Sequence, residues 1–159
     1  MATPPLPFLP ETCHNHGTMR LHAACAALDD DAVLLLGPSG SGKSDLLLRL
    51  LDRGFDLIGD DQVEVVDGRV RPCGSIAGLI ELRGVGLFRT AYRHSAKLRL
   101  IVHMASPTER LPTSVAADPR LGAPTISLNP AEPGAAIRVH WALDAACGRR
   151  MQHCGALFA

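Results

Sequence analysis

An apolar run that leads directly into a glycine-rich loop constrains this chain more than any other feature. Residues 32–36 read Ala-Val-Leu-Leu-Leu, and residues 37–44 read Gly-Pro-Ser-Gly-Ser-Gly-Lys-Ser. The second stretch fits G-x-x-x-x-G-K-S, in which a buried strand, a phosphate-binding loop and a helix follow one another. In such a loop the backbone wraps an anion, Lys43 supplies a charge for the β and γ phosphates, and the Ser44 hydroxyl can bind Mg²⁺. The sequence therefore predicts a site for a nucleoside triphosphate with Mg²⁺.

Composition narrows the classes of protein that can carry this loop. The 159 residues suggest one domain, and 47% hydrophobic residues are enough to form a core. Lys and Arg (16) balance Asp and Glu (16), and aromatic residues make up 4%, so nucleic acid is not an expected partner. Neither a membrane-spanning run nor a signal peptide is visible, so we expect a cytoplasmic protein without a membrane partner.

The cysteines favour the same compartment. Their number is five, which is odd, and no C-x-x-C pair occurs, so reduced thiols are expected. Residues 13–16 read Cys-His-Asn-His. No second ligand pair at zinc-site spacing accompanies them, and we interpret them as part of a polar, flexible arm over residues 1–17.

Strands cluster along the chain and helices are few. The patterns predict a helix over 44–53 that Gly54 ends, a hairpin with an Asp67-Gly68 turn, and a loop region over 105–124. A further helix is predicted from Asp144 onward. The predicted strands, or strand-like apolar stretches, cover residues 18–28, 32–36, 55–59, 62–66, 69–71, 76–82, 98–104, 126–128 and 136–143. This order predicts an α/β fold built on a mixed sheet rather than an alternating strand–helix pattern.

Phosphoryl transfer also needs carboxylates, and two groups are placed to supply them. Asp60 and Asp61 follow the apolar pair 57–58. Because adjacent residues of an extended chain point to opposite faces, we expect one of the two to face the phosphates. Glu81 and Arg83 are two residues apart and share a face if extended, where they suit Mg²⁺ and anionic oxygens. A turn pair for the aspartates and a surface ion pair for Glu81 and Arg83 are the alternatives.

Together these motifs resemble the catalytic domain of the bacterial HPr kinase/phosphorylase family. That family carries G-x-S-G-x-G-K-S, then a helix ending in R-G, an apolar strand into D-D-x-V-E, and later E-x-R-G-x-G. Here they read GPSGSGKS at 37–44, LLDRGFDLIGDDQVEV at 50–65 and ELRGVG at 81–86. The resemblance covers residues 18–143 and implies a P-loop fold with a sheet like that of PEP carboxykinase. We therefore expect residues 18–159 to form the catalytic domain.

The resemblance implies ligands for ATP and Mg²⁺. Asp45 stands where the family has a glutamate, and Asp60 would support the metal or the base. The residues implied to bind Mg²⁺ are Ser44, Asp45, Asp60 and Glu81. The residues implied to hold the ATP phosphates are Gly37, Pro38, Ser39, Gly40, Ser41, Gly42, Lys43 and Ser44.

It also implies the catalytic residues, which include Lys43. Asp61 matches the base that takes the proton from a target serine, and it would act as an acid when inorganic phosphate attacks phosphoserine. Arg83 lies in the motif implicated in both reactions, and Arg110 matches another active-site arginine. His22 matches a histidine near the catalytic acid, although by itself it is more typical of a packed core residue.

This sequence departs from the family pattern in two places. The resemblance covers the catalytic domain alone, and we expect no counterpart of the additional N-terminal domain that the best-known members have. Residues 129–136 read Asn-Pro-Ala-Glu-Pro-Gly-Ala-Ala, where the family has a P-x-R-P-G-R-N-like segment linked to dephosphorylation. Without the two arginines an anion binds less well there, so we expect kinase activity rather than efficient phosphorylase activity.

Three functions fit these observations. The first is a serine kinase of the HPr phosphocarrier, with ATP, Mg²⁺ and inorganic phosphate as small partners and a homo-oligomer, a hexamer by resemblance, as its assembly. The second is an ATP-binding regulator with weak or no transfer. The third is a small-molecule kinase or a carboxykinase-related enzyme, for which 159 residues leave little room for a second substrate domain.

Overall fold

The computed structural model describes residues 17–157. The predicted arm over residues 1–17 and the cluster at 13–16 therefore lie, apart from Gly17, outside the described residues. Within them, the helices are α1 (Lys43–Asp52) and α2 (Ala135–Ala146), with a 3₁₀ turn at Gly74–Ile76. The strands are β1 (Thr18–His22), β2 (Ala24–Leu28), β3 (Asp31–Leu36), β4 (Asp56–Gly59), β5 (Gln62–Val66), β6 (Arg69–Pro72), β7 (Leu79–Leu82), β8 (Gly86–Arg89), β9 (Ala96–Met104), β10 (Ala116–Ala117) and β11 (Pro124–Leu128).

Most strands join one mixed sheet in the order β1-β5-β6-β9-β3-β2-β4. The long strand β9 lies at its centre, parallel to β3 on one side, while its other side pairs with β6 and then with β11. Strands β7 and β8 form a separate antiparallel hairpin. The mixed sheet with few helices that the sequence predicts is confirmed.

Strand β3 is buried on both faces, and its alternate residues serve two cores. Val33 and Leu35 pack with the helices, whereas Leu34 packs with residues of β1, β5 and β6 on the opposite face. This division follows from the two-residue period of a strand. The apolar sequence of residues 32–35 is the consequence, because neither face of β3 meets water at these positions.

The helix after the loop begins and ends one residue earlier than predicted, at Lys43 and Asp52, and Gly54 follows its end as expected. Leu46, Leu47 and Leu50 are fully buried and pack on the sheet, which gives α1 an apolar face at helical spacing. The chain leaves the helix through Gly54 at φ 96°, a left-handed conformation that glycine adopts without the steric penalty of a Cβ.

The strand predicted over residues 136–143 is wrong, because this segment belongs to α2. Ile137, Val139 and Trp141 alternate with polar residues and imitate the two-residue period of a strand. The structure buries Ala136, Val139 and Leu143 instead, at the three- and four-residue spacing of a helix. The helix predicted from Asp144 onward is therefore also misplaced, since α2 already ends at Ala146.

The other predicted elements differ mainly at their ends. The β5–β6 hairpin is confirmed, with Asp67 and Gly68 both at positive φ (50° and 75°), as a type I′ turn requires. The apolar stretch at 76–82 contains β7 in its second half. Strand β8 has no counterpart in the sequence-based prediction, because all four of its residues are exposed and show no alternation.

Candidate functional site

The glycine-rich loop leaves the sheet at the end of β3 and turns tightly into α1. Gly40 and Gly42 have φ values of 79° and 100°, which side chains rarely permit. Gly37 is required for another reason, because a Cβ there would lie 2.7 Å from Ser41 Oγ and 2.8 Å from Met104 Cβ. The loop is therefore pressed against the end of β9.

Replacing Gly37 with alanine is expected to displace this loop. The added methyl group forces the backbone or Met104 to move, so the free energy of unfolding should fall by about 1–3 kcal/mol, and MgATP binding should weaken. Thermal unfolding and nucleotide titration measure both effects. Gly74→Ala is the matched control, since a Cβ at Gly74 meets open space and its effect should stay within about 0.5 kcal/mol. Equal behaviour of the two variants would contradict the packing argument.

Lys43 is buried at the bottom of the loop. Its side chain is 7% exposed, and Nζ donates to the carbonyl oxygens of Gly37 at 2.5 Å and Pro38 at 2.9 Å. Burial lowers the pKa of Lys43, while the carboxylates of Asp61 and Asp60 act against that shift. The ammonium group therefore braces the loop and keeps a positive charge beneath it.

The N-terminal end of α1 faces the same space as the loop. Gly42 is the N-cap and provides no side-chain cap to the first turn, so backbone N–H groups there are oriented for an anion. Ser44 and Asp45 in that turn are exposed. Asp45 Oδ2 lies 3.1 Å from an Arg49 guanidinium nitrogen one turn further along the helix.

The paired aspartates lie in the bend between β4 and β5. The prediction that only one of them faces the site is wrong, because the chain is bent rather than extended here and both line the same cavity. Asp61 Oδ1 lies 3.4 Å from His22 Nδ1. Asp60 Oδ2 accepts a hydrogen bond from the Glu81 backbone N–H at 3.2 Å, which ties the bend to β7.

A cavity of about 620 Å³ brings most of the predicted residues together. The loop and α1 form one wall, the aspartates and His22 another, and the β7–β8 hairpin with Glu81 and Arg83 a third. No sequence motif singles out Leu48, Leu82 and Val85, which add an apolar rim. The lining residues are His22, Ser39, Gly40, Gly42, Lys43, Ser44, Asp45, Leu48, Asp60, Asp61, Glu81, Leu82, Arg83 and Val85.

Some predicted features lie outside this lining. Three residues of the phosphate loop, Gly37, Pro38 and Ser41, are not among the residues that line the cavity. Arg110 is exposed in the loop between β9 and β10 and does not line the cavity, so its predicted role has no support from its position. The turn over residues 129–134 packs against Gly42, since a Cβ added to Gly42 would lie 3.0 Å from Pro130 Cγ. Arg49, which contacts this turn, was not singled out in the sequence, although the Asp45–Arg49 spacing is a recognisable helical ion pair.

The oxygen atoms around the cavity fit Mg²⁺ bound together with a nucleotide. Asp60 Oδ1 is buried without a hydrogen-bond partner within the described part of the chain. Among residues 17–157, no three His, Cys, Asp or Glu side chains are grouped so that they could hold a metal ion by themselves. Mg²⁺ commonly takes one or two carboxylates and fills its other positions with water and substrate phosphates, and this donor set fits that mode.

The loop, the helix and the opposing carboxylates define a P-loop protein. The sequence model described as "HPr Serine kinase C-terminal domain" matches residues 16–117, more than half of the 159 residues. The chain belongs to the HPr serine kinase family, of which it carries the C-terminal domain.

Individual relatives agree with this assignment. The HPr kinase/phosphorylase of Bordetella petrii is 36% identical over 111 residues, which cover 58% of this chain and 35% of the relative. That of Bordetella pertussis is 39% identical over 112 residues, with the same coverage. That of Xylella fastidiosa is 38% identical over 109 residues, covering 58% and 34%. The matched region thus spans about a third of the length of these relatives.

A solved structure shares the fold. The HPr(Ser) kinase/phosphatase from Coxiella burnetii superimposes with a TM-score of 0.56 at 23% identity, covering 84% of this chain and 99% of that chain. The likeness confirms the P-loop kinase type of fold that the sequence predicts. Neither of the helices described in residues 17–157 is long and apolar enough to cross a membrane.

Proposed function

We propose that this protein is an ATP-dependent serine kinase of an HPr-type phosphocarrier. The observation that carries the proposal is the shared cavity, in which Lys43 and Ser44 of the phosphate loop face Asp61. The names of the Bordetella and Xylella relatives, HPr kinase/phosphorylase, support this substrate. An exposed serine on a small carrier can reach Asp61, whose side chain is 68% exposed.

The residues of the cavity divide the reaction between them. The loop and the α1 N-terminus hold the ATP phosphates, with Lys43 at the β and γ positions. Asp61 accepts the hydroxyl proton of the target serine while the serine Oγ attacks the γ phosphorus. The bond between the γ phosphorus and the β–γ bridging oxygen breaks, which releases ADP. His22 orients the Asp61 carboxylate, and Arg83 stabilises charge on the transferred group.

Ser44, Asp60 and Glu81 are the residues that would hold Mg²⁺, with Asp45 at the edge of the set. A metal ion held there would supply charge neutralisation for the phosphate groups. Asp60 is suited to this task because it combines an unpartnered buried oxygen with a fixed orientation from the Glu81 N–H. Asp45 is already paired with Arg49 and would act through water.

We further propose that the kinase direction dominates over phosphorolysis. Residues 129–136 carry no arginine, and Arg49, which lies against this turn, is occupied by two backbone carbonyls and Asp45. An anion site without available cations binds inorganic phosphate weakly. The same observation favours the alternative of an ATP-binding regulator with weak or no transfer.

Intact-mass spectrometry of an HPr-type phosphocarrier after incubation with this protein and MgATP tests the proposal. The expected result is one added phosphoryl group on a serine, absent with Lys43→Ala, and slow reversal when inorganic phosphate is added. An unchanged mass while ATP is still bound would replace the kinase with the regulator. Rapid reversal would contradict the proposed direction.

The cellular compartment that we propose for the protein follows from this chemistry. A kinase that uses cellular ATP belongs in the cytoplasm, and Cys25, Cys73, Cys147 and Cys154 are free thiols, as a reducing compartment permits. We propose residues 18–159 as the catalytic domain. The hexamer is carried by the family resemblance and stays a prediction.

A further inference from the structure

Arg49 connects two parts of the molecule that meet at the phosphate loop. It lies on α1, and its guanidinium donates to the carbonyl oxygens of Pro130 and, at 3.2 Å, Glu132. The same group lies 3.1 Å from Asp45 Oδ2. One side chain therefore joins the first turn of α1 to the turn over residues 129–134.

That turn is a built structure held against the loop. Asn129 Oδ1 accepts the Ala131 N–H at 3.0 Å, and Glu132 pairs with Arg138 at the start of α2. Pro130 is buried, and its ring lies where a side chain at Gly42 would be. Displacement of the turn would leave Gly42, the N-cap of the phosphate-binding helix, without its packing partner.

We infer that Arg49 is a positioning residue that holds the 129–134 turn on Gly42 and thereby sets the affinity of the loop for phosphate groups. The inference rests on the proposed function for its ligand, MgATP. Arginine suits this task because its planar fork bonds two carbonyls and a carboxylate at once, which a lysine ammonium cannot do with the same geometry. Arg49 acts on the phosphate groups through the turn and not by direct contact.

Three variants separate positioning from charge and from general stability. Arg49→Ala should raise the Kd for MgATP about tenfold, because two or three charge-assisted hydrogen bonds are lost. Arg49→Lys keeps the charge and should recover only part of the affinity. Arg53→Ala is the matched control at the C-terminal end of the same helix, since the exposed Arg53 bonds the partly buried His140 ring at 3.2 Å. The Kd of this variant for MgATP should stay within about twofold of the wild-type value.

Hydrogen exchange followed by mass spectrometry gives a readout that needs no nucleotide. Peptides that contain residues 129–134 should exchange faster in Arg49→Ala than in wild type or Arg53→Ala, at comparable melting temperatures. The inference would be overturned if Arg49→Ala kept the wild-type affinity for MgATP or the wild-type exchange of the turn. It would also be overturned if Arg49→Lys restored the full affinity. If wild-type protein failed to bind MgATP, the proposed function would fall, while the exchange data would still decide whether Arg49 holds the turn.

Discussion

Replacing Lys43 with alanine is expected to abolish useful MgATP binding while leaving the protein folded. The substitution removes the positive charge that the loop encloses and the two hydrogen bonds to Gly37 and Pro38. In the complex with MgATP, we expect the Lys43 ammonium to donate two charge-assisted hydrogen bonds to the phosphates. The loss of these two bonds corresponds to a Kd for MgATP that is raised about 100-fold or more. Transfer to the phosphocarrier should fall by about 10²–10³ beyond that, because the same charge stabilises the transition state.

Titration with MgATP and a single-turnover assay measure these two effects separately. Lys97→Ala is the matched control, since Lys97 lies exposed on β9 and both quantities should stay near the wild-type values. Circular dichroism and the melting temperature establish that Lys43→Ala retains its fold. Undiminished MgATP affinity in this folded variant would contradict the assignment of the loop as the nucleotide site.

The second large effect is expected from Asp61→Asn, and it should fall on the chemical step alone. Asparagine keeps the shape of the side chain but cannot accept the serine proton as a carboxylate does. Loss of a general base typically lowers kcat by about 10²–10⁴. MgATP affinity should change by less than about threefold, because the predicted phosphate contacts come from the loop and α1.

The control for this variant is Asp52→Asn, an exposed carboxylate on α1. Rapid-quench measurements of phosphoserine formation at saturating MgATP isolate the chemical step from nucleotide binding. A wild-type rate for Asp61→Asn would remove Asp61 as the base. A loss of MgATP affinity equal to the loss of rate would make Asp61 a binding residue instead.

The sequence was sufficient where one local rule determines the structure. The loop at 37–44, the Gly54 helix end and the Asp67-Gly68 turn each depend on residues adjacent in the chain, and each was predicted. Helix α2 was missed because Ile137, Val139 and Trp141 carry strand propensity at alternate positions. Packing of Ala136, Val139 and Leu143 against the sheet decided the outcome, and that contact is invisible in the local pattern.

In the candidate site too, the features set by residues adjacent in the chain were predicted, and those set by distant contacts were not. Lys43, Ser44, Asp61, Glu81 and Arg83 were predicted from motifs and now line one cavity. The orientation of the two aspartates was not predictable, because it depends on a bend held by the Glu81 N–H from a distant strand. The link from Arg49 to the 129–134 turn joins residues about 80 positions apart, which no short motif contains.

The walls of the cavity are unequally protected against local opening. The phosphate loop extends from β3, whose central residues are fully buried, so releasing it requires disruption of both cores. Arg83 lies on the β7–β8 hairpin, which is anchored through Ile80 while β8 is exposed along its length. A two-stranded hairpin is only marginally stable by itself. We therefore expect fluctuations to widen the hairpin side of the cavity far more often than they disturb the phosphate loop. Under the proposed function, the nucleotide side would stay formed while a protein acceptor enters and leaves.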